Sequence, residues 1–412
     1  MTGTNTNDFD LQIAYRQSLD WLYRQTRGDA PRDPLRMSRL IDALGLSLPG
    51  HVVHVVGTNG KGTVAAMSAA AASAAGLRSG RFISPHVEDF RERIAVDGEP
   101  IGRAEVVSFV ERVRSSRLPF TPAFFELCLA LALDHFERLG VAFAAVEAGV
   151  GALHDATAVI TGVAAVAITP VALDHLETLG PRLADIALDK SAAIRAGVPA
   201  ASAVQPPEVL EVLAAAARRR GARLHIDRPA SDLFELPSGM AVQSDPVRRR
   251  NQRLAAATIR LAGGVDEPAL AAGLQTPPLP GRGERFRVGP VEVLLDGAHD
   301  PAAAAALAER AGRDYVLLFG SLRRKQGEAT LQALEPAALR VFVTTAGGEP
   351  ITVSPSATRT FLAEPRTALA AALEACAAGR LLVVGGSLYL AGELRPVLRE
   401  LSARSPQAAR VG

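Results

Sequence analysis

The sequence predicts an α/β fold in which helices cover parallel sheets, arranged as two domains. Apolar runs of strand length alternate with segments of helical period along most of the 412 residues, and this alternation is typical of parallel sheets. The three prolines and two glycines of Thr276–Gly283 predict a linker between a larger and a smaller domain. The runs expected to form strands are Val52–Val56, Ala142–Val146, Val163–Ile168, Val291–Leu295, Tyr315–Phe319, Val341–Thr344 and Leu381–Val384.

Composition limits the classes of protein to which the chain can belong. Apolar residues make up 48% of the chain, and 45 basic against 43 acidic residues leave a net charge of +2. This balance gives no indication of a nucleic-acid or anionic-membrane partner. Cys128 and Cys376 are too few for a disulfide framework or a zinc site. The polar, acidic amino terminus does not resemble a signal peptide, and we therefore expect a cytoplasmic protein.

The first predicted strand ends in a glycine-rich turn, V-V-G-T-N-G-K-G-T, which precedes an alanine-rich helical segment. Glycines let backbone N–H groups approach an anion, and the helix directs its positive end toward it. In this phosphate loop (Gly57–Thr63), Lys61 can reach terminal phosphates and the Thr63 hydroxyl can hold magnesium. The spacing departs from G-x-x-x-x-G-K-[ST], because Val55 stands at the first glycine position and Gly62 precedes Thr63. A flexible turn with an exposed lysine is the alternative interpretation.

Polar residues also follow other predicted strands of the larger domain. Ser84 follows a short strand-like segment, Glu147 ends a buried strand, and the Asp174–His175 pair follows a third. Each would lie at the carboxyl edge of the sheet, where ligands of α/β proteins bind. Ser84 and Glu147 are suitable magnesium ligands there. Taken singly, the same residues are consistent with a turn serine, a surface glutamate and an Asp-His pair without function.

Lys190 is predicted to point toward the protein interior. Ile186 and Ile194, four residues to either side of it, mark the apolar face of a helix expected to start near Pro181. Burial would lower the pKa of the amine and make it reactive. Extension of the long side chain to solvent is the competing interpretation.

The smaller domain contains one comparable segment, L-L-D-G-A-H-D-P. Asp296, His299 and Asp300 would cluster at the carboxyl end of a strand. The segment fits a capped helix start equally well, because Asp300 is a good N-cap residue and Pro301 a good first-turn residue. The sequence leaves both interpretations open.

Taken together and in order, these segments resemble the folylpolyglutamate synthase/dihydrofolate synthase family of the Mur-ligase superfamily. The resemblance extends from about Tyr15 to about Glu400. It implies a P-loop-type ATPase domain over residues 1–279, a smaller Rossmann-like α/β domain that binds glutamate over residues 280–412, and a monomer. The matching segments are G-T-N-G-K-G-T, S-P-H-V-E-D-F-R-E-R-I, T-P-A-F-F-E, D-H-L-E-T-L-G, D-K-S-A-A-I, P-G-R, D-G-A-H-D-P and G-S-L-Y-L.

The resemblance implies a ligase that uses ATP and magnesium to join L-glutamate to dihydropteroate, to the γ-carboxyl group of a folate, or to both. The acceptor carboxylate would be activated as an acyl phosphate. Lys61, His175 and a carbamylated Lys190 would be catalytic. ATP would be bound by Gly57, Thr58, Asn59, Gly60, Lys61, Gly62, Thr63, Asn251, Arg282 and Asp296.

The remaining implied contacts concern metal and substrates. The metal ligands would be Thr63, Ser84, Glu147, His175 and Lys190. The folate or dihydropteroate and the glutamate would contact Phe124, Phe125, His86, Asp155, His299 and Ser387.

The chain departs from the family pattern at four positions. Leu153 replaces an arginine, Ala158 and Asp300 each replace an asparagine, and Asp189 replaces a glutamate. Two alternatives therefore stay open. One is another Mur-type amide ligase, and the other is a nucleotide-binding regulatory protein that has lost turnover.

Overall fold

The computed structural model describes residues 4–25, 32–229, 231–240, 245–323, 325–350, 353–377 and 379–404, with no side chains described for residues 4–7. The chain divides into two compact units. The first contains the described residues up to 240 together with residues 249–276, and the second contains residues 245–248 and those from 277 onward. The sequence did not indicate that residues 245–248 group with the second unit.

The first unit contains an eight-stranded sheet, counted over the described residues, with the order β4-β3-β2-β5-β1-β6-β7-β8. Neighbouring strands run parallel except for β3, which is antiparallel to both β2 and β4. The strands are β1 (Val52–Val56), β2 (Ser79–Phe82), β3 (Ile94–Val96), β4 (Glu99–Pro100), β5 (Phe143–Glu147), β6 (Val163–Ile168), β7 (Ala200–Ser202) and β8 (Leu224–Ile226).

Helices flank this sheet. They are α1 (Thr4–Arg24), α2 (Pro34–Leu44), α3 (Lys61–Ala74), α4 (Arg103–Ser115), α5 (Phe124–Arg138), α6 (Leu176–Leu179), α7 (Leu183–Lys190), α8 (Pro207–Arg220), α9 (Pro246–Ala262) and α10 (Glu267–Leu274). The division between the two units falls within α9. None of the helices in the described ranges combines the length and apolarity needed to cross a bilayer.

The centre of this sheet is β1, whose five residues are all buried. Burial on both faces explains why its sequence is a continuous apolar run and does not alternate. The helix that follows, α3, is rich in alanine because α10 approaches it closely. A Cβ atom added to Gly273 of α10 would lie 2.2 Å from the backbone nitrogen of Ala71.

The second unit contains a six-stranded sheet, again counted over the described residues, in the order β13-β12-β11-β14-β10-β9. Only β9 is antiparallel to its neighbour. The strands are β9 (Arg282–Val288), β10 (Val291–Asp296), β11 (Tyr315–Phe319), β12 (Ala338–Val343), β13 (Arg359–Phe361) and β14 (Leu381–Gly385), and the helices are α11 (Pro301–Ala311), α12 (Gly327–Leu334), α13 (Pro365–Ala375) and α14 (Leu388–Arg404). The predicted α/β class, with a largely parallel sheet in each part of the chain, is confirmed.

The helix expected near Pro181 is shorter than predicted. It ends at Lys190, and a 3-10 turn over Ser191–Ala193 follows. Ile194 is buried but lies beyond the helix, so its place on a helical face was wrong. The 3-10 turn continues the winding of the chain, and this is why the apolar spacing looked helical.

Candidate active site

The phosphate loop connects β1 to α3 and is anchored by hydrogen bonds. Thr58 donates its backbone N–H to Pro170 O at 2.9 Å and its hydroxyl to Ala172 O at 3.2 Å. Gly60 is the N-cap of α3 with a φ of 91°, in the left-handed region that glycine adopts readily. A Cβ atom there would lie 2.6 Å from Asn251 Oδ1. The loop is therefore hydrogen-bonded to the segment after β6, and the alternative interpretation as a flexible turn is wrong.

Lys61 and Glu147 form the charged centre of this edge. Lys61 Nζ lies 3.7 Å from Glu147 Oε1 and donates to Thr58 O at 3.0 Å. Glu147 ends β5 and is 3% exposed, which excludes the surface-glutamate interpretation. Its Oε2 accepts a hydrogen bond from the backbone nitrogen of Ser84 at 3.0 Å. With Thr63 in the first turn of α3, the available donors are a carboxylate and hydroxyls, a set that fits magnesium.

Lys190 is 4% exposed, so its side chain points inward and does not extend to solvent. Its Nζ donates to the carbonyl oxygen of Gly57 at 2.7 Å. Burial, and after it the charge of Lys61, lower the pKa of Lys190 to about 7, although nearby carboxylates oppose the change. At neutral pH much of this amine is therefore uncharged and nucleophilic.

The Asp174–His175 pair lies in the loop after β6. His175 is the N-cap of α6 with a φ of 54°, its side chain is 43% exposed, and its Nε2 lies 3.4 Å from Asp174 Oδ2. Gln205 supports the loop, since it accepts from Val171 N at 2.9 Å and donates to Thr169 O at 3.0 Å. An imidazole held beside a carboxylate in this way can bind a metal.

The S-P-H-V-E-D-F-R-E-R-I segment folds around two of its own side chains. The carboxylate of Glu92 accepts the backbone N–H groups of residues 87–89 at 2.8–2.9 Å. Arg93 Nε donates to His86 Nδ1 at 2.7 Å. Burial, together with the charge of Arg93, lowers the pKa of His86 to about 4. Near neutral pH His86 is therefore uncharged. Because its Nδ1 accepts from Arg93, its Nε2 carries the proton, and this nitrogen lies 3.4 Å from the hydroxyl oxygen of Tyr23.

Phe124 lies in an aromatic cluster with His86. Its ring centroid is 5.4 Å from that of Tyr23 and 6.3 Å from that of Phe90, and the guanidinium of Arg93 lies 5.1 Å from it. Flat rings and a guanidinium at these distances can stack against a planar aromatic ligand.

Two neighbouring residues of this cluster have structural contacts. Phe125 packs against Phe82 at 5.6 Å between centroids. Glu126 is buried, pairs with Arg36 at 2.9 Å and accepts from Ala123 N at 2.8 Å, so it caps α5 and fastens α2 to it.

Asp155, which the resemblance assigned to substrate, uses its carboxylate inside the chain. One oxygen accepts from the backbone N–H groups of Gly149 and Val150 at 3.1 and 3.0 Å. The other accepts from the backbone and hydroxyl of Thr157 at 3.0 and 2.6 Å. These four bonds match the capacity of a carboxylate, and Asp155 is 3% exposed. The geometry gives Asp155 a role in building the loop, and its contact with substrate stays a prediction.

Two of the departures from the family pattern, at positions 189 and 153, lie at the same loop. Asp189 accepts from Ala152 N at 2.6 Å, and a Cβ atom on Gly151 would lie 2.1 Å from the same Asp189 oxygen. The leucine at 153, where the family has an arginine, is 50% exposed. The aspartate at 189, shorter than the glutamate of the family, thus fits the close approach of the Gly151–Ala152 backbone to its carboxylate. Nothing in the structure explains the leucine at 153.

The predicted residues of the second unit lie at the carboxyl ends of β10 and β14. Asp296 pairs with Arg310 at 2.7 Å and accepts from Ala298 N at 2.9 Å. Gly386 donates to Ala298 O at 2.8 Å, which places Ser387 beside this loop. Arg282 begins β9, next to the end of β10.

Asp300 and His299 have different roles in that loop. Asp300 caps α11 by accepting from Ala303 N at 2.9 Å, as the capped-helix interpretation predicted. His299 Nδ1 lies 2.8 Å from Gly297 O, and burial lowers the pKa of His299. The charges of Lys325 and Arg282 lower this pKa further.

A phosphate loop at the end of a central strand, an oxygen-rich edge beside it and a second α/β unit define an ATP-dependent ligase of two α/β units. Comparison with known proteins supplies the family. The chain is 34% identical over 379 residues to the dihydrofolate synthase/folylpolyglutamate synthase of Mycobacterium tuberculosis, covering 79% of this chain and 76% of that protein. It is 30% identical over 425 residues to the folylpolyglutamate synthase of Lacticaseibacillus casei, covering 93% and 98%. The chain belongs to the folylpolyglutamate synthase/dihydrofolate synthase family.

Further comparisons agree on the fold. The Mycobacterium tuberculosis folylpolyglutamate synthase complexed with ADP matches with a TM-score of 0.82 and 30% identity, over 94% of this chain and 99% of that one. The E. coli FolC in complex with DHPP and ADP matches with a TM-score of 0.83 and 25% identity. A probable bifunctional folylpolyglutamate synthase/dihydropteroate synthase of Halobacterium salinarum is 33% identical, but the match spans only 38% of that protein. No family model matches the chain.

Sequence reasoning missed His54 and Thr157. His54 lies in the middle of β1, 1% exposed, and its Nε2 is 2.9 Å from Thr157 Oγ1. The available signal was a single histidine inside the run V-V-H-V-V, where any polar side chain needs a buried partner.

Proposed function

We propose that the chain is an ATP-dependent ligase that joins the amine of L-glutamate to the carboxyl group of dihydropteroate, of a folate, or of both. In a chain of this family, the observation that supports the proposal most strongly is the arrangement of two lysines at the phosphate loop. Lys61 and Lys190 contact Glu147 and Gly57 at the two sides of the phosphate loop, so positive charge, a carboxylate and a reactive amine meet where ATP phosphates would lie.

The proposed reaction has two steps. A carboxylate oxygen of the acceptor attacks the γ-phosphorus, ADP leaves, and an acyl phosphate forms. The glutamate amine then attacks the acyl carbon, and inorganic phosphate leaves with the amine proton transferred to solvent. Two anions must approach each other in the first step, so the backbone N–H groups of the phosphate loop and the Lys61 charge offset their repulsion.

The Glu147 carboxylate and the Thr63 and Ser84 hydroxyls would hold magnesium. Bound there, magnesium would supply positive charge to the phosphate oxygens. A structure from Yersinia pestis of this family, 25% identical, is complexed with AMPPNP and a Mn ion, which supports a divalent ion. His175, partly exposed beside Asp174, is proposed to hold a second ion.

Lys190 is proposed to be carbamylated. Its uncharged amine would add to carbon dioxide, forming an N–C bond and releasing a proton, and the product is an anion suited to the metal side of the site. The carbamate nitrogen keeps one N–H group, which can still donate to Gly57 O. The inward position and lowered pKa of Lys190 support this assignment.

We assign the acceptor ring to the aromatic cluster of His86 and Phe124. In the second unit, Arg282 and Asp296 are proposed to contact the nucleotide, and His299 and Ser387 the glutamate. We also propose a monomer that works in the cytoplasm. A molar mass twice that of the chain, measured by light scattering, would contradict the monomer.

The test is product analysis by mass after incubation with ATP, glutamate and either dihydropteroate or tetrahydrofolate. We expect ADP release that requires both glutamate and one of these acceptors, and a product heavier by one glutamyl residue. Turnover only with a cell-wall precursor would identify another Mur-type ligase. Tight ATP binding without turnover on any acceptor would identify a regulatory protein.

A further inference from the structure

A buried hydrogen-bonded chain connects the central strand to the loop that follows Glu147. It begins at His54 in β1, passes through the hydroxyl of Thr157 at 2.9 Å, and reaches Asp155 at 2.6 Å. All three residues are at most 3% exposed. The chain ends at the backbone N–H groups of Gly149 and Val150, which donate to the second oxygen of Asp155.

Hydrogen-bond direction fixes the state of each member. The Thr157 hydroxyl has one proton, and it donates that proton to Asp155 Oδ1. Thr157 Oγ1, whose own proton is used in that bond, must therefore accept from His54 Nε2, so the proton of the neutral imidazole is on Nε2. Burial and the charge of Arg195 lower the pKa of His54 to about 3, which keeps the ring neutral.

The Gly149–Val150 loop, where this series of hydrogen bonds ends, adjoins two predicted functional residues, Glu147 and Phe125. Gly149 and Val150 come directly after Glu147 and Ala148 in sequence. Gly149 also lies against Phe125, because a Cβ atom there would be 2.7 Å from the ring. A shift of the Gly149 backbone would therefore move Glu147 at the end of β5 and change the surface against which the Phe125 ring packs.

We propose that His54 and Thr157 are positioning residues that act through Asp155 to fix the Gly149–Val150 backbone, and thereby set the places of Glu147 and Phe125 for the ligase reaction. The kinetic part of this inference rests on the proposed function. The structural part does not, because hydrogen exchange at Gly149 and Val150 measures it without turnover.

The test compares Thr157→Val, which keeps the shape but loses the hydroxyl, with Thr157→Ser, which keeps the hydroxyl. Amide hydrogen exchange at residues 149–150 is expected to accelerate by at least about tenfold in Thr157→Val. The reason is that His54 and Asp155, both buried, each lose their hydrogen bond to the Thr157 hydroxyl. Thr157→Ser should retain the protection. In the same preparations, Thr157→Val should lower kcat or raise the KM for the acceptor severalfold while the Kd for ATP stays within about twofold.

A second pair of variants covers the case in which Thr157→Val does not fold. His54→Gln can still donate toward Thr157, whereas His54→Met cannot, so only His54→Met should lose protection. The double variant His54→Met/Thr157→Val should be no worse than the more affected single variant, because both break one chain.

Equal exchange in Thr157→Val and the wild type, or equal loss in Thr157→Ser and Thr157→Val, would overturn the inference. So would equal exchange in the two His54 variants. Absence of folate-dependent turnover in the wild type would instead overturn the proposed function, and the exchange comparison would still decide the structural claim.

Discussion

The side-chain nitrogen of Lys190 lies 2.7 Å from the carbonyl oxygen of Gly57, the first residue of the phosphate loop. This bond joins the end of α7 to the end of β1 across 133 residues of sequence. Any chemical change at the Lys190 amine therefore acts directly on the loop that is proposed to hold ATP.

Lys190→Ala is expected to abolish turnover and to leave the fold intact, because the buried amine contributes chemistry and its charged form is poorly solvated. Steady-state rates and circular dichroism check the two halves of this prediction. Acetate or another short carboxylic acid should restore part of the rate if a carbamate normally supplies the anion. Full activity in the variant would show that Lys190 has no role in turnover.

Stability should depend on pH through Lys190. The pKa is 10.5 in an ordinary lysine and about 7 in the folded chain, so between these values the unfolded state binds more protons. The free energy of unfolding therefore rises with pH from about 7 to about 10.5, by at most about 1.4 kcal/mol per pH unit, and this contribution is flat below pH 7.

The measurement is urea unfolding from about pH 7 to about pH 9 in carbon-dioxide-free buffer. The fluorescence of Trp21, the one tryptophan of the chain, reports on the first unit. Lys190→Met should lack the rise. Identical pH slopes in the wild type and the variant would show that the amine does not lose its proton in this range.

Gly60→Ala is expected to weaken ATP binding by at least about tenfold. The added methyl group would lie 2.6 Å from Asn251 Oδ1, and alanine disfavours a φ of 91° by about 1–2 kcal/mol. Gly98→Ala is the matched control, since Gly98 has a φ of 85° and open space around its Cβ position. Calorimetric titration with ATP should leave Gly98→Ala at wild-type affinity. Equal losses in both variants would mean that the Asn251 contact is irrelevant.

Glu147→Gln should raise the magnesium concentration for half-maximal activity by at least about tenfold, because a neutral amide is a weaker ligand than a carboxylate. It also leaves the nearby Lys61 charge uncompensated. Titration of the rate with magnesium gives the result, and Glu374→Gln, at an exposed position of α13, is the control. An unchanged magnesium requirement would remove Glu147 from the proposed metal site.

Buried strands were the part of the fold that the sequence predicted best. The bounds of β1, β6 and β11 agree with the predicted runs, since strands covered on both faces are continuously apolar. In contrast, β9 reads R-G-E-R-F-R-V and was not predicted, because an edge strand exposes part of its surface and carries charges there. The strands of two to four residues were too short to show a period.

For the site, local patterns predicted residues but not their contacts. The inward direction of Lys190 followed from its helical face, whereas its partner Gly57 did not. The hydroxyl partner of His54 is 103 residues away, and the bonds that occupy Asp155 come from a loop whose backbone conformation no pattern specified. Roles that depend on long-range hydrogen bonds therefore needed the three-dimensional structure.

The most direct test of the proposed chemistry follows an oxygen atom. The acceptor is prepared with ¹⁸O in its reacting carboxylate and incubated with the chain, ATP, glutamate and magnesium, and the mass of the released inorganic phosphate is then measured. Transfer through an acyl phosphate predicts one ¹⁸O atom in each phosphate, because the leaving phosphate keeps the oxygen that attacked it. Phosphate without ¹⁸O, released while the amide product forms, would contradict the account.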